Sequence, residues 1–146
     1  MKVPMTPNTD AEIRHVYEQW HATVVAGDLD GLMALYAEDA VFETPLILSV
    51  LRQAEGVLRG TAAIRAFFEV GLSHRNSGLG RWYRTGTFFS NGRQLVWEYP
   101  RATPQGDQVD LVEVMDIAHG RITHHRVYWG WMGCKALAGS LQLPAP

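Results

Sequence analysis

Asp110-Leu111-Val112-Glu113-Val114-Met115-Asp116-Ile117-Ala118-His119-Gly120-Arg121-Ile122-Thr123-His124-His125-Arg126-Val127-Tyr128-Trp129 is the stretch whose reading decides the fold. β-Branched and aromatic side chains fill both halves, and His119-Gly120 between them is a tight-turn pair. The pattern predicts two strands, over Gln108 to Ile117 and Arg121 to Trp131. Upstream, Arg81 to Ser90 and Arg93 to Tyr99 read the same way. Asn91-Gly92 joins them as a hairpin, and Pro104-Gln105-Gly106-Asp107 forms a longer loop. The C-terminal half is therefore an antiparallel meander.

The N-terminal half has helical periodicity instead. Thr9-Asp10-Ala11-Glu12 reads as a capping box, followed by Ile13, Val16, Tyr17, Trp20 and Val24 on one helical stripe. Gly27 ends that helix and Asp28 caps a second one, whose face is Leu29, Leu32, Met33 and Tyr36, closing at Asp39. Ala40 to Thr44 make a strand stopped by Pro45. The apolar run Leu46 to Leu51 fits a strand continuation, a short helix or a flap. Gly60-Thr61 opens a third helix carrying Ile64, Phe67, Phe68 and Leu72 on one side. Three helices with one early strand, then a meander, predict one α+β domain with helices packed on a curved sheet. The domain spans 1–146, with its core at about 9–131.

The bulk numbers exclude several classes of partner. A chain of 146 residues with 47% hydrophobic content can bury a single core without metal or disulfide staples. A net charge of −2 with scattered arginines gives no nucleic-acid or membrane surface. Cys134 is the only cysteine, which rules out an internal disulfide and suits a reducing compartment. The N-terminus lacks a secretory h-region, so the expectation is a cytoplasmic protein.

The strands are apolar on both faces, with Leu111, Met115 and Ile117 on one and Val112 and Val114 on the other. Coverage of the second face by another copy predicts a homodimer through the outer sheet face. If Val112 and Val114 face the helices, Asp110 and Asp116 share that inner face. Asp110 is then either a carboxylic acid on an apolar wall or a solvated group at the strand start. Glu98 on the preceding strand can lie across from it. His124 and His125 point to opposite faces and cannot chelate one metal; the parity that turns Trp129 inward also turns His125 inward. No metal-ligand spacing appears elsewhere. Trp20, Trp82, Trp97, Trp129 and Trp131 supply rings for a core or for a pocket that takes flat molecules.

From Ala11 to Trp131 the chain resembles the nuclear transport factor 2-like superfamily, in its ketosteroid isomerase and SnoaL-like polyketide cyclase branch. The resemblance is carried by Gly27-Asp28 through Leu35-Tyr36-Ala37-Glu38-Asp39-Ala40-Val41-Phe42-Glu43-Thr44-Pro45 and by Leu58-Arg59-Gly60-Thr61 through Phe67-Phe68. Asp110 to Met115, Gly120-Arg121-Ile122-Thr123 and Tyr128-Trp129 complete it. It implies a cone-shaped sheet wrapped around an apolar pocket. Asp110 falls where the isomerases keep a protonated aspartic acid in the oxyanion hole. Trp129 falls on a pocket tryptophan, and Tyr36 on a tyrosine of the supporting network.

The departures are as informative. Thr44 stands where the isomerase general base would be, Trp20 replaces the oxyanion tyrosine, and Phe68 replaces a network tyrosine. Val127 occupies the place of a limonene epoxide hydrolase aspartate. The resemblance implies a cofactor-independent acid–base enzyme on a small hydrophobic, cyclic ketone or polyketide-like substrate. Its catalytic pair would be Asp110 and His125. Its lining would be Tyr17, Trp20, Tyr36, Phe42, Thr44, Phe67, Phe68, Val96, Glu98, Val112, Val127 and Trp129, with Leu46 to Leu51 as a lid. A carrier for an apolar metabolite is the alternative, and a protein-docking domain is a third reading.

Overall fold

Helix α1, Asp10–Ala26, begins with the expected reciprocal cap. The Glu12 amide donates to Thr9 Oγ1 at 3.2 Å and the Thr9 amide donates to Glu12 Oε2 at 2.7 Å. It ends at Gly27, whose φ of 71° is the left-handed conformation a helix stop favours. These positions belong to a computed structural model that describes residues 5–73, 87–99 and 110–141. Residues 74–86, with Trp82 and most of the expected strand from Arg81, the loop at 104–107, and residues 108–109 lie outside the described residues.

Asp28 caps α2, Leu29–Met33, by accepting from the Gly31 amide at 2.9 Å. The helix is shorter than its sequence pattern predicts. Tyr36 already opens strand β1, Tyr36–Glu43, because its side chain is drawn into the core by Trp20 on α1 and His125 on a neighbouring strand. The ambiguous run after Pro45 is a short helix, α3, Leu46–Leu51, with Ile47 fully buried. Strand β2, Val57–Arg59, follows and returns antiparallel onto β1. Helix α4, Thr61–Ser73, then buries Ile64, Phe67 and Phe68.

The remaining strands are β3, Phe89–Ser90, β4, Gln94–Tyr99, β5, Leu111–Ala118, and β6, Arg121–Trp129. They join β1 and β2 in a six-stranded curled, unclosed sheet of order β2-β1-β6-β5-β4-β3. The C-terminal part is the expected meander, whereas β1 runs parallel to β6. The β5–β6 turn places His119 and Gly120 at φ 52° and 70°, the paired positive values of a type I′ hairpin. Asn8 ties the two turns together. Its side-chain amide donates to Gly92 O at 2.7 Å and Ile117 O at 2.8 Å, and its oxygen accepts from the Gly120 amide at 2.9 Å.

The inner face of the sheet is set by the buried set Leu95, Trp97, Tyr99, Glu113, Met115, Ile117, Ile122 and His125, packed against the α1 stripe. This corrects the expected facing of β5. Val112, Val114 and Asp116 lie on the outer face, with Val96 and Glu98 beside them. A register shift between Asp116 and Ile117 makes Thr123 the extra residue on β6, so that Ile122 and His125 both point inward.

A further helix, α5, Trp131–Leu141, closes the described chain and packs against α3 and β6. Asp110 docks it: the Gly130 amide donates to Asp110 O at 2.7 Å, and the Gly133 amide donates to Asp110 Oδ1 at 2.9 Å. A Cβ on Gly130 would sit 2.3 Å from that carboxylate, so any larger residue there would have to displace the Asp110 side chain.

Candidate functional site

Four inner-face groups from distant parts of the chain form one buried hydrogen-bonded line. Trp20 Nε1 from α1 lies 3.1 Å from Tyr36 Oη on β1. Tyr36 Oη is 2.8 Å from His125 Nδ1 on β6, and His125 Nε2 is 2.5 Å from Glu113 Oε2 on β5. His125 is 0% exposed and Glu113 3%. Buried polar atoms must be paired, and here each supplies its neighbour's partner.

Counting donors assigns the protons. The indole N–H can only donate, so the Tyr36 oxygen accepts from it. The Tyr36 O–H then needs an acceptor, and His125 Nδ1 is the one within reach. His125 is therefore the neutral tautomer with its proton on Nε2, directed at Glu113 Oε2. Burial raises the Tyr36 pKa far above its ordinary value, which keeps this hydroxyl a donor. The other Glu113 oxygen, Oε1, has no hydrogen-bond partner among the described residues. It is the atom left to take or give a proton.

A second buried histidine stands alongside. His21 Nδ1–H donates to the Tyr17 carbonyl at 2.8 Å, and its bare Nε2 accepts from the Tyr99 hydroxyl at 2.8 Å. Burial lowers its pKa, and the Tyr17 carbonyl and the Glu113 charge offset this only in part. Trp97 lies between the two histidine assemblies, with its ring centroid 5.0 Å from His21 and 5.6 Å from Trp20. Its indole N–H is buried without a hydrogen-bond acceptor among the described residues. Leaving such a donor unpaired costs on the order of 1–3 kcal/mol.

The structure sorts the expected site residues into three groups. Tyr17, Trp20, Tyr36, Phe42, Phe67, Phe68 and His125 are buried together in the aromatic interior, where Phe42 sits 4.8 Å from His125 and 5.5 Å from Phe68. Thr44, Val127 and Trp129 lie at one end of it. There the Trp129 indole donates to Thr44 Oγ1 at 3.2 Å. Thr44 and Val127 also line a cleft of about 310 Å³ with Glu43, Pro45, Gly56, Arg126 and Tyr128. Val96, Glu98 and Val112 are on the outer face, and Asp110 holds α5, so the geometry does not bring these four to the interior.

Glu113, His21, Trp97 and Tyr99 are the interior polar groups that sequence reasoning passes over. One signal points to them. Leu95, Trp97 and Tyr99 form the more apolar parity of β4, and the register puts Trp97 opposite Glu113. No group of three or more metal-ligating side chains occurs among the described residues.

The outer face carries a different cluster. Arg126 makes two hydrogen bonds to Asp116, at 2.7 and 2.9 Å, and Gln94 Nε2 donates to Asp116 at 3.0 Å. His124 pairs with Glu43 through Nε2 and lies 4.0 Å from Asp116 through Nδ1. The Arg126 hydrogen bonds lower the Asp116 pKa, and Asp116 raises that of Arg126. No helix among the described residues is long and apolar enough to cross a membrane.

Comparison with known proteins agrees with the architecture. A SnoaL-like protein of unknown function from Burkholderia thailandensis superposes with a TM-score of 0.61 at 18% identity, covering 86% of this chain and 99% of that one. An NTF-2 like protein of unknown function from Burkholderia xenovorans gives 0.61 at 20% identity, over 83% and 84% of the two chains. SalBIII, described as an epoxide hydrolase/cyclase-like enzyme in pyran ring formation in salinomycin, gives 0.59 at 20% identity, over 85% and 95%. At these identities the likeness is one of fold, the cone-like NTF2-like architecture. The model of the SnoaL-like domain family matches residues 17–125, most of the chain. The chain belongs to the SnoaL-like domain family.

Proposed function

We propose that this protein is a cofactor-independent acid–base enzyme that moves a proton on a small hydrophobic, cyclic ketone or polyketide-like molecule. The observation that carries the reading is the buried line Trp20–Tyr36–His125–Glu113 inside an aromatic interior. Glu113 is its acid–base end. Oε1 takes the proton from the carbon next to the carbonyl, the C–H electron pair moves into an enolate, and the same oxygen returns the proton at the end of the turnover. His125 is a positioning residue: its Nε2–H holds Oε2 and so aims the carboxylate, while Tyr36 and Trp20 fix the tautomer. Asp110, with Oδ1 engaged by the Gly133 amide, is structural in this reading. Aromatic rings from α1, β1 and α4 supply the apolar walls.

An enzyme neighbour of the same fold, SalBIII, shows that the architecture accommodates a cyclase-like enzyme, which supports the reading without naming a substrate. The quaternary part of the proposal is a homodimer through the outer face, where Phe89 is 71% and Tyr128 57% exposed beside half-buried Val96, Val112 and Val114. Sedimentation as a monomer at micromolar concentration would remove it.

The chemical test uses 1-tetralone, a bicyclic ketone with exchangeable α-protons, in D2O. The protein is expected to speed exchange of those protons for deuterium above the buffer rate, and Glu113→Gln to lower the increment by about 100-fold or more. Binding of tetralone with no added exchange would identify a carrier and end the enzyme reading.

A further inference from the structure

Trp97 stands in the aromatic interior outside both the Trp20–Tyr36–His125–Glu113 line and the His21–Tyr99 pair. Its residue is 2% exposed, and its indole N–H is buried with no acceptor among the described residues. In the antiparallel register of β4 and β5 it stands directly opposite Glu113, so both side chains rise from neighbouring points of the inner face. Tyr17, at 5.3 Å and 81°, and Tyr99, at 6.2 Å and 85°, meet the ring edge to face and hold it in place. The other indole of this cluster, Trp20, is committed to Tyr36. An N–H donor can be satisfied only by an acceptor brought from outside these residues.

We infer that Trp97 Nε1–H is the hydrogen-bond donor for the ligand's carbonyl oxygen, beside the carboxylate that handles its α-proton. The inference rests on the proposed role of Glu113 and adds the recognition half of the site. A carbonyl on Trp97 orients the neighbouring C–H toward β5. As the proton leaves for Glu113 Oε1 the oxygen gains negative charge, and a fixed donor in a dry interior stabilises that charge more than it stabilises the neutral ketone. The site thereby selects molecules that carry a hydrogen-bond acceptor over hydrocarbons of the same shape, because only the former satisfy the buried N–H.

The experiment follows the Trp97 indole resonance in protein labelled with 15N-tryptophan, assigned by its loss in Trp97→Phe. Two probes of equal size are titrated, 1-tetralone and tetralin, its carbonyl-free analogue, with binding followed by tryptophan fluorescence. Tetralone is expected to move the Trp97 indole proton downfield and tetralin to leave it in place. Trp97→Phe is expected to weaken tetralone about tenfold or more and tetralin hardly at all. The assignment is overturned if the resonance ignores bound tetralone, if it responds equally to both probes, or if neither probe binds. An indole proton that is upfield at the start and stays there would show that a neighbouring ring face already satisfies it.

The same titration in Glu113→Gln separates the two claims. A tetralone-specific shift with unchanged α-proton exchange leaves Trp97 as the carbonyl donor and removes Glu113 as the base. Loss of exchange in Glu113→Gln with no shift at Trp97 does the reverse.

Discussion

The two faces of the β5–β6 hairpin are built from the same residue types and behave as different materials. Inward, His125 meets Glu113 with both side chains almost wholly excluded from solvent. Outward, the adjacent residue His124 meets Glu43, and Arg126 meets Asp116, with side chains 18–39% exposed. The inner pair cannot exchange partners with water, so the whole line from Trp20 must be complete. The outer cluster can, so each of its members is replaceable. A histidine beside a carboxylate is thus a fixed, buried hydrogen-bonded pair on one side of a strand and a solvated pair on the other; burial separates them.

The largest effect should come from breaking the inner line. Glu113→Ala leaves His125 Nε2–H buried without an acceptor and should cost about 1–3 kcal/mol in a urea melt. Asp116→Ala, the same deletion from the outer face of the same strand, should cost only about 0–1 kcal/mol. Equal losses would break the distinction between the faces.

A smaller effect is set by pH. His21 is neutral in the fold with its pKa lowered by burial, so the unfolded chain binds more protons below the ordinary value of 6.5. Its contribution is fully present above pH 6.5 and is lost as pH falls from there toward the lowered value. The urea midpoint of the parent should therefore drop between pH 7 and 5, and His21→Gln should flatten that drop. Asp116 acts in a lower window. Its pKa is held below 3.8 by the Arg126 hydrogen bonds, so its contribution is complete above that value and disappears as pH falls through the lowered one. Arg126→Gln should remove only this acid-side component.

The smallest effect is salt. Raising ionic strength from about 0.1 M to 1 M, which shrinks the screening length from about 10 to 3 Å, should weaken the outer cluster and leave the Glu113–His125 coupling measured by a double-mutant cycle unchanged. A coupling that fades with salt would place that pair in contact with solvent.

Much of this molecule is legible in its residues where local chemistry decides. The Thr9–Glu12 cap, the Gly27 stop, and the turn residues Asn91-Gly92 and His119-Gly120 are set by local backbone chemistry, so reading them needs no tertiary information, and Asn8 only adds long-range hydrogen bonds to both turns. The parity that turns Trp129 inward also places His125 correctly.

The facing of β5 is a different problem. Both parities of Leu111 to Ala118 are apolar, and the tie is broken by a carboxylate that ordinarily points to water. Glu113 is inside because His125, on another strand, donates to it, and that partner is invisible to a single strand's pattern. Tyr36 misleads for the same reason: helical spacing assigns it to α2, while its hydrogen bonds to Trp20 and His125 draw it into β1. Asp110 shows the converse. It is polar, near the right place and at a strand start, but the helix it caps lies beyond the stretch that carries the family resemblance.

The central claim is the direction of the proton line, and the His125 imidazole reports it directly. A long-range 1H–15N spectrum of the 15N-histidine-labelled protein should show His125 with a protonated Nε2 and a bare Nδ1. The Nδ1–H tautomer, or an imidazole protonated on both nitrogens, would contradict the account, because the Tyr36 hydroxyl would then lack its acceptor and Glu113 would not be held as described.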